Sequence, residues 1–229
     1  MPKRDTVGKA LRRALGEEVV IPKIEPRKPG ISYLINKRRL RIFEKVFNEP
    51  GTYLRKLHRN LDIPLQSLRW HVSVLVSAGI IGRVSFAKKE VLYSPMLVES
   101  KDVITMMYYN DEIYGPILRF ISKQGEVSVK EIEKSLGIYQ QLVFSRLKVL
   151  KNAGLVIFIG KRLRKRCKLS EDSSLKTLKR KIDKKSLKFK LLRLLKNQGL
   201  VPHVVRQTSQ KLILSVDTGI EEIELTFKI

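Results

Sequence analysis

Sliding the 229-residue chain 75 positions along itself aligns two segments without a gap, and no other feature of the sequence limits the fold so strongly. Ile42 falls on Ile117, Leu61 on Leu136, Ile63 on Ile138, Val74 on Val149, Leu75 on Leu150, and Ala78-Gly79 on Ala153-Gly154. Apolar positions correspond between these identities: Val46 with Ile121, Leu54 with Val129, Leu57 with Ile132, Leu68 with Val143, Val72 with Leu147, and Ile80-Ile81 with Leu155-Val156. Low identity with one shared apolar pattern is what two copies of one small fold produce.

Each copy resolves into the same elements. In the first, a helix from about Ser32 to Phe47 must stop at Pro50-Gly51, because proline cannot continue the helical hydrogen bonding. "TYLRKLHRNLDI" puts Leu54, Leu57 and Leu61 on one face of a short second helix. Pro64 suits the start of a third, where its missing N–H costs nothing, and "LQSLRWHVSVLVSA" runs on to a helix-ending Gly79. Two strands, Ile80 to Phe86 and Val91 to Ser94, flank the turn "AKKE". The second copy repeats the order with helices near Asp111 to Lys123, in "SVKEIEKSL" and in "GIYQQLVFSRLKVLKNAG", then a hairpin of Leu155 to Ile159 with Arg166 to Leu169. Three helices followed by a β-hairpin describe a winged helix-turn-helix.

Charge points to a partner. The chain carries 47 Lys and Arg against 22 Asp and Glu, a formal charge of +25, far beyond what solubility requires. Residues 161–211 hold 18 of those cations against 3 acids, while the last 18 residues are acidic. Nucleic acid is the expected polyanion. A membrane partner is not expected, since no apolar run approaches the length of a spanning helix, and "MPKRDTVGKALRRALG" lacks the apolar core of a secretion signal. With Cys167 alone there is no disulfide pair and no cysteine-based zinc site, so a reducing, cytoplasmic setting is expected. His58, His71 and His203 have no metal-ligand spacing, no phosphate-binding glycine loop is present, and no catalytic or cofactor role is expected. Were the chain a nuclease, Glu171, Asp172 and Asp183 would be its candidate acids.

The stretch "EPGTYLRKLHRNLDIPLQSLRWHVSVLVSAGII", within Arg38 to Pro95, resembles the first module of archaeal winged-helix transcription regulators. The features that carry the resemblance are Glu49-Pro50-Gly51, Leu54 and Leu57, Ser67-Leu68-Arg69-Trp70-His71-Val72, Leu75, and Ala78-Gly79-Ile80-Ile81. In the second copy Phe144, Ser145 and Arg146 replace Arg69, Trp70 and His71, so the DNA sequence read need not be shared. The tandem architecture with a small C-terminal sheet also resembles archaeal activators that recruit the basal factor TFB, including early archaellum regulators. That resemblance implies a double-stranded DNA-binding transcription regulator, with TFB as a protein partner.

A winged helix inserts its third helix in the major groove and lays its wing on the backbone or in the minor groove. With Leu68, Val72 and Leu75 turned to the core, Gln66, Ser67, Arg69, Trp70 and Ser73 are the expected DNA-facing residues of the first module. Trp70 is either contact or core, and His71 is expected to be structural. The second module offers Tyr139, Gln140, Gln141, Ser145 and Lys148, with Phe144 suited to DNA or to a protein partner. Lys88 and Lys89 in one wing, and Lys161, Arg162, Arg164, Lys165 and Arg166 in the other, are expected on phosphates.

The expected plan is mainly α with β-hairpin wings, α+β in class. It has a basic arm at 1–31, winged helices at 32–97 and 111–172 joined by a linker at 98–110, and a basic helix with a small antiparallel sheet at 173–229. The three prolines of "VVIPKIEPRKPG" suit an arm that follows DNA or packs on the first module. In "SLKTLKRKIDKKSLKFKLLRLLKN", Leu175, Leu178, Ile182, Leu187, Leu191 and Leu195 recur at helical spacing against an almost wholly cationic face, which leaves a dimer helix open. Beyond it "HVVRQ", "KLILSV" and "IEEIELTFKI" alternate as strands. Glu221, Glu222 and Glu224 on the last strand would repel DNA and are the candidate partner-binding residues. Two alternatives to a regulator are an architectural chromatin protein that coats DNA through charge, and an RNA binder, which would want an aromatic sheet face the sequence lacks.

Overall fold

The helical pattern around Leu40, Phe43, Val46 and Phe47 is realised as α1 (Lys37–Asn48), capped by the Asn36 side chain accepting from the Arg39 amide. The computed structural model describes residues 32–160, 166–170 and 184–229, with 184 and 185 as backbone only. After α1 come β1 (Thr52–Tyr53), α2 (Leu54–Leu61), α3 (Leu65–Ser77) and the hairpin β2 (Gly82–Phe86) with β3 (Lys89–Tyr93). The short β1 was not expected from sequence. It pairs antiparallel with β3, Thr52 opposite Leu92 and Tyr53 opposite Val91, giving strand order β1-β3-β2.

The same order recurs downstream. Residues 98–110, expected as a linker, carry a 3-10 turn at Ser100–Asp102 and α4 (Val103–Tyr109). Then follow α5 (Gly115–Gln124), β4 (Val127–Ser128), α6 (Val129–Leu136), α7 (Gln140–Asn152), β5 (Val156–Ile159) and β6 (Arg166–Leu169), in sheet order β4-β6-β5. A reciprocal capping box opens α6: Ser128 Oγ accepts from the Glu131 amide and the Glu131 carboxylate accepts from the Ser128 amide. Both helix pairs turn through one left-handed residue at matched positions, Asp62 (φ 49°) and Gly137 (φ 64°). The first of these turns is closed by His58 Nδ1–H donating to the Ile63 carbonyl at 2.8 Å.

Two compact units result. One holds residues 104–160 and 166–170, with Ile117, Leu118, Ile121, Ile132, Val143, Leu147, Leu150 and Cys167 in its core. The other joins residues 32–103 to 184–229. There α8 (Lys184–Asn197) and the antiparallel sheet β7 (Val201–Gln207), β8 (Lys211–Asp217) and β9 (Glu222–Lys228) share one core with α1, α2 and α3. The rings of Phe43, Phe47 and Phe227 meet there with centroids 5.0 to 6.0 Å apart. Sequence pattern alone sets the C-terminal segment apart as its own span, whereas its apolar face buries against the first helix of the chain's first repeat.

Side chains of α1 also complete the open edge of β9. Glu44 accepts from the Thr226 amide at 2.6 Å, Asn48 donates to the Thr226 carbonyl at 2.6 Å and accepts from the Lys228 amide at 2.8 Å, and Arg41 donates to the Glu224 carbonyl at 2.8 Å. An edge strand leaves every second backbone group without a ladder partner. Here a helix supplies those partners, which fixes the sheet on α1 by hydrogen bonds as well as by apolar burial. At the loop after α1, Glu49 pairs with Lys45 at 2.7 Å and Lys56 at 3.2 Å. Burial works to raise its carboxyl, but the two ammonium groups outweigh it and hold the group below the usual carboxylate range.

Candidate nucleic-acid interface

Helices α3 and α7 are built alike. Each spans 13 residues, and each is preceded by an extended residue of nearly the same geometry, Pro64 (φ −51°, ψ 136°) and Tyr139 (φ −51°, ψ 138°). Each ends at an alanine followed by a left-handed glycine, Gly79 (φ 67°) and Gly154 (φ 72°). The ridges Leu68-Val72-Leu75 and Val143-Leu147-Leu150 are buried, because i, i+4, i+7 spacing keeps them on one side of the helix.

That burial turns the remaining side chains outward. In α3, Gln66, Arg69, Trp70 and Ser73 are exposed and Ser67 is half-buried; Trp70 stands 60% exposed. His71 is buried at 4%, and burial first, then the charges of Arg39 and Arg38, push its imidazole below the ordinary histidine value. In α7, Tyr139, Gln140, Gln141, Ser145 and Lys148 are exposed. Two of these are engaged within the unit. Ser145 Oγ donates to the Leu142 carbonyl at 2.9 Å, and the Lys148 ammonium lies 5.2 Å from the centre of the half-buried Phe144 ring. Phe144 in turn leans on Phe158 of β5, centroids 6.0 Å apart. Sequence reasoning missed that aromatic tie between helix and wing; Phe158 has no helical or alternating pattern linking it to Phe144.

The hairpin β2–β3 closes through the two-residue turn Ala87-Lys88, since Phe86 pairs with Lys89. Both turn residues have positive φ, 46° and 58°, without a glycine between them. Lys88 is exposed at the tip; Lys89 turns back, its ammonium 4.8 Å from the centre of the Tyr53 ring. Lys161, Arg162, Arg164 and Lys165, the cations expected in the other wing, lie outside the described residues. Arg166 opens β6 and is held by Glu126 at 3.2 Å and Glu131 at 3.5 Å, with a further bond to the Glu126 carbonyl at 2.8 Å. These bonds give it a structural role at the base of its hairpin.

On β9, Glu222 and Glu224 are exposed, but Glu221 pairs with Lys37 at 2.6 Å and Glu222 accepts from the Ser215 hydroxyl. Cys167 is buried, its thiol pushed up to about 12 mainly by burial, and it donates to the Val127 carbonyl, which suits packing rather than thiolate chemistry. Among the described residues no three His, Cys, Asp or Glu side chains gather as a metal site, and no helix is long and apolar enough to cross a membrane. The acids Glu171, Asp172 and Asp183 lie outside the described residues.

Residues 113–166, which take in α5, α6, α7 and β5, match the model of the MarR family. An uncharacterized HTH-type transcriptional regulator of Methanocaldococcus jannaschii, MJ1398, is 29% identical over 123 residues. The match takes in 54% of this chain but 31% of that protein, so the chain spans about a third of the relative's length. The crystal structure of the DIP2311 protein from Corynebacterium diphtheriae is also similar, at 11% identity and a TM-score of 0.22, over 58% of this chain and 26% of that one.

Proposed function

We propose that the chain is a sequence-specific, double-stranded DNA-binding transcription regulator with two tandem winged helix-turn-helix modules. Helices α3 and α7 enter the major groove, and the hairpins β2–β3 and β5–β6 follow the backbone or minor groove. The observation that carries this reading is the matched pair of helices, alike in length, capping backbone and buried ridge, with polar side chains turned outward on both. The formal charge of +25 supports a phosphate-rich target. The helix-turn-helix regulator of M. jannaschii supports a role in transcription.

Activation by recruiting TFB is the finer part of the reading. It rests on the architectural resemblance and on the exposed carboxylates of Glu222 and Glu224, which suit a protein surface better than DNA. The protein acts in the cytoplasm, where its DNA is.

Titrating a selected duplex and a random duplex at two salt concentrations tests the core of the proposal. A regulator keeps a preference of about 10³ or more for its site, while a protein that coats DNA through charge shows almost none. Genome-wide footprinting then separates activator from repressor by whether sites lie upstream of promoter elements or across them.

A further inference from the structure

Helix α8 is assembled against its own electrostatics. Residues 184–211 contain eight Lys and Arg and no Asp or Glu. Of the leucine ridge that sequence alone left open as a dimer seam, Leu187, Leu191 and Leu195 are consumed inside the unit, buried at 4%, 0% and 0%, while Leu175, Leu178 and Ile182 lie outside the described residues. What faces outward is Phe189, 68% exposed, with Lys190, Arg193 and Lys196 exposed around it. Arg193 lies one helical turn from each of the other three, so like charges sit at i,i+3 spacings that weaken a helix. None of the three cations has an acidic partner among the described residues, although Lys37, Lys45, Lys56 and Arg83 of the same unit all find one. A segment that breaks its local rules without internal compensation points to an external one.

We propose that this face of α8, Phe189, Lys190, Arg193 and Lys196, is an additional polyanion-binding surface that takes the sugar–phosphate backbone of duplex DNA, apart from the reading helices and wings. A polyanion relieves the repulsion among all three cations at once, and the phenyl ring covers apolar sugar edges between phosphates. A second copy of the chain is a poorer occupant, because two such faces would set cation against cation. Nor does the neighbouring edge strand invite pairing: β7 carries Pro202, Arg206 and a bulge between Val204 and Arg206, devices that discourage strand addition.

The test uses the full chain and a random-sequence duplex of about 30 base pairs, a probe independent of any sequence reading by α3 and α7, titrated over a salt series. The variant Lys190→Gln/Arg193→Gln/Lys196→Gln should make the log–log salt slope shallower by about 2 to 3, at roughly 0.9 for each phosphate left without its cation. Its melting temperature should hold or rise, since like-charge neighbours are removed. Phe189→Ala should lower affinity with the slope kept. A slope and affinity equal to those of the parent protein would overturn the proposal. So would a concentration-dependent dimer that Phe189→Ala abolishes while DNA binding persists, which would assign the face to a second copy. If the preference for a selected site is absent but the slope change is found, the regulator reading falls and this surface stands.

Discussion

The indole of Trp70 meets the imidazole of His71 edge-on, ring centroids 4.9 Å apart and planes at 66°, the first ring 60% exposed and the second buried at 4%. Adjacent residues on one helix thus divide between surface and core. An indole left in water, on the helix proposed to enter the major groove, covers little apolar surface in the free protein. Trp70→Ala should therefore weaken binding to a selected duplex severalfold, while the melting temperature moves by no more than a surface substitution allows, about 0.5 kcal/mol of stability. Fluorescence anisotropy beside a thermal melt checks both. A large loss of stability would instead make Trp70 part of the core.

His71 makes the stability of this unit depend on pH. Burial and the neighbouring Arg39 and Arg38 hold its folded pKa below the ordinary value, so the unfolded chain takes up the proton first. Stability from this group is fully present above about pH 6.5 and declines as pH falls from there toward the lowered folded pKa. Urea unfolding at pH 7.5 and 5.5 should show the loss, and His71→Gln should flatten it over that window.

The seam between α1 and β9 predicts a second dependence. Asn48 bonds both the Thr226 carbonyl and the Lys228 amide. Asn48→Ala leaves two backbone groups without partners, at about 1 to 3 kcal/mol each where water cannot reach them. Phe227→Ala, which removes a fully buried ring packed on Phe43 and Phe47, should cost about 3 to 5 kcal/mol. Denaturant melts should show either substitution lowering the stability of the first repeat together with the sheet, because they share one core.

Much of this was legible in the sequence, where periodicity carries the information. The ridges Leu68-Val72-Leu75 and Val143-Leu147-Leu150, the turns before them and the three C-terminal strands lie where apolar spacing puts them. Strands β1 and β4 escaped because two residues cannot display an alternation. Alternation along Ile223, Leu225 and Phe227 says that one face is covered but not by what, and Phe43 and Phe47 stand 180 or more positions away from Phe227. Sequence groups Arg166 with the wing cations expected on phosphates and gives no sign of its ion pairs, because its partners, Glu126 and Glu131, are 40 and 35 residues earlier. Charge runs show composition, and only the fold shows pairing.

The wing tip stores strain that can be removed. Ala87 and Lys88 both adopt left-handed φ, where a side chain costs about 1 to 2 kcal/mol that glycine avoids. Lys88→Gly should raise stability by up to about 1 kcal/mol net of the entropy glycine adds to the unfolded chain. It also deletes the exposed cation at the tip, so the salt slope of DNA binding should fall by roughly 0.9. Stability and binding moving in opposite directions would mark the tip as shaped for contact; an unchanged slope would leave Lys88 in solvent.

Position by position, α3 and α7 differ on their outward faces: Arg69 against Phe144, Trp70 against Ser145, Ser73 against Lys148. Gln66 and Gln141 are the exception among the exposed polar positions, the same residue at the second position of each helix. A glutamine amide can pair bidentately with the major-groove edge of adenine, and a correct pair is worth about 1 to 3 kcal/mol over a wrong base. Two helices that share one reader and differ elsewhere should recognise half-sites that share one base and differ elsewhere. Selection from a random duplex pool should return such a composite site. Gln66→Ala should relax the shared base in one half only, and Gln141→Ala in the other, with the remaining preferences kept. Half-sites with no common base, or a single substitution that relaxes both, would show that the glutamines are not equivalent readers.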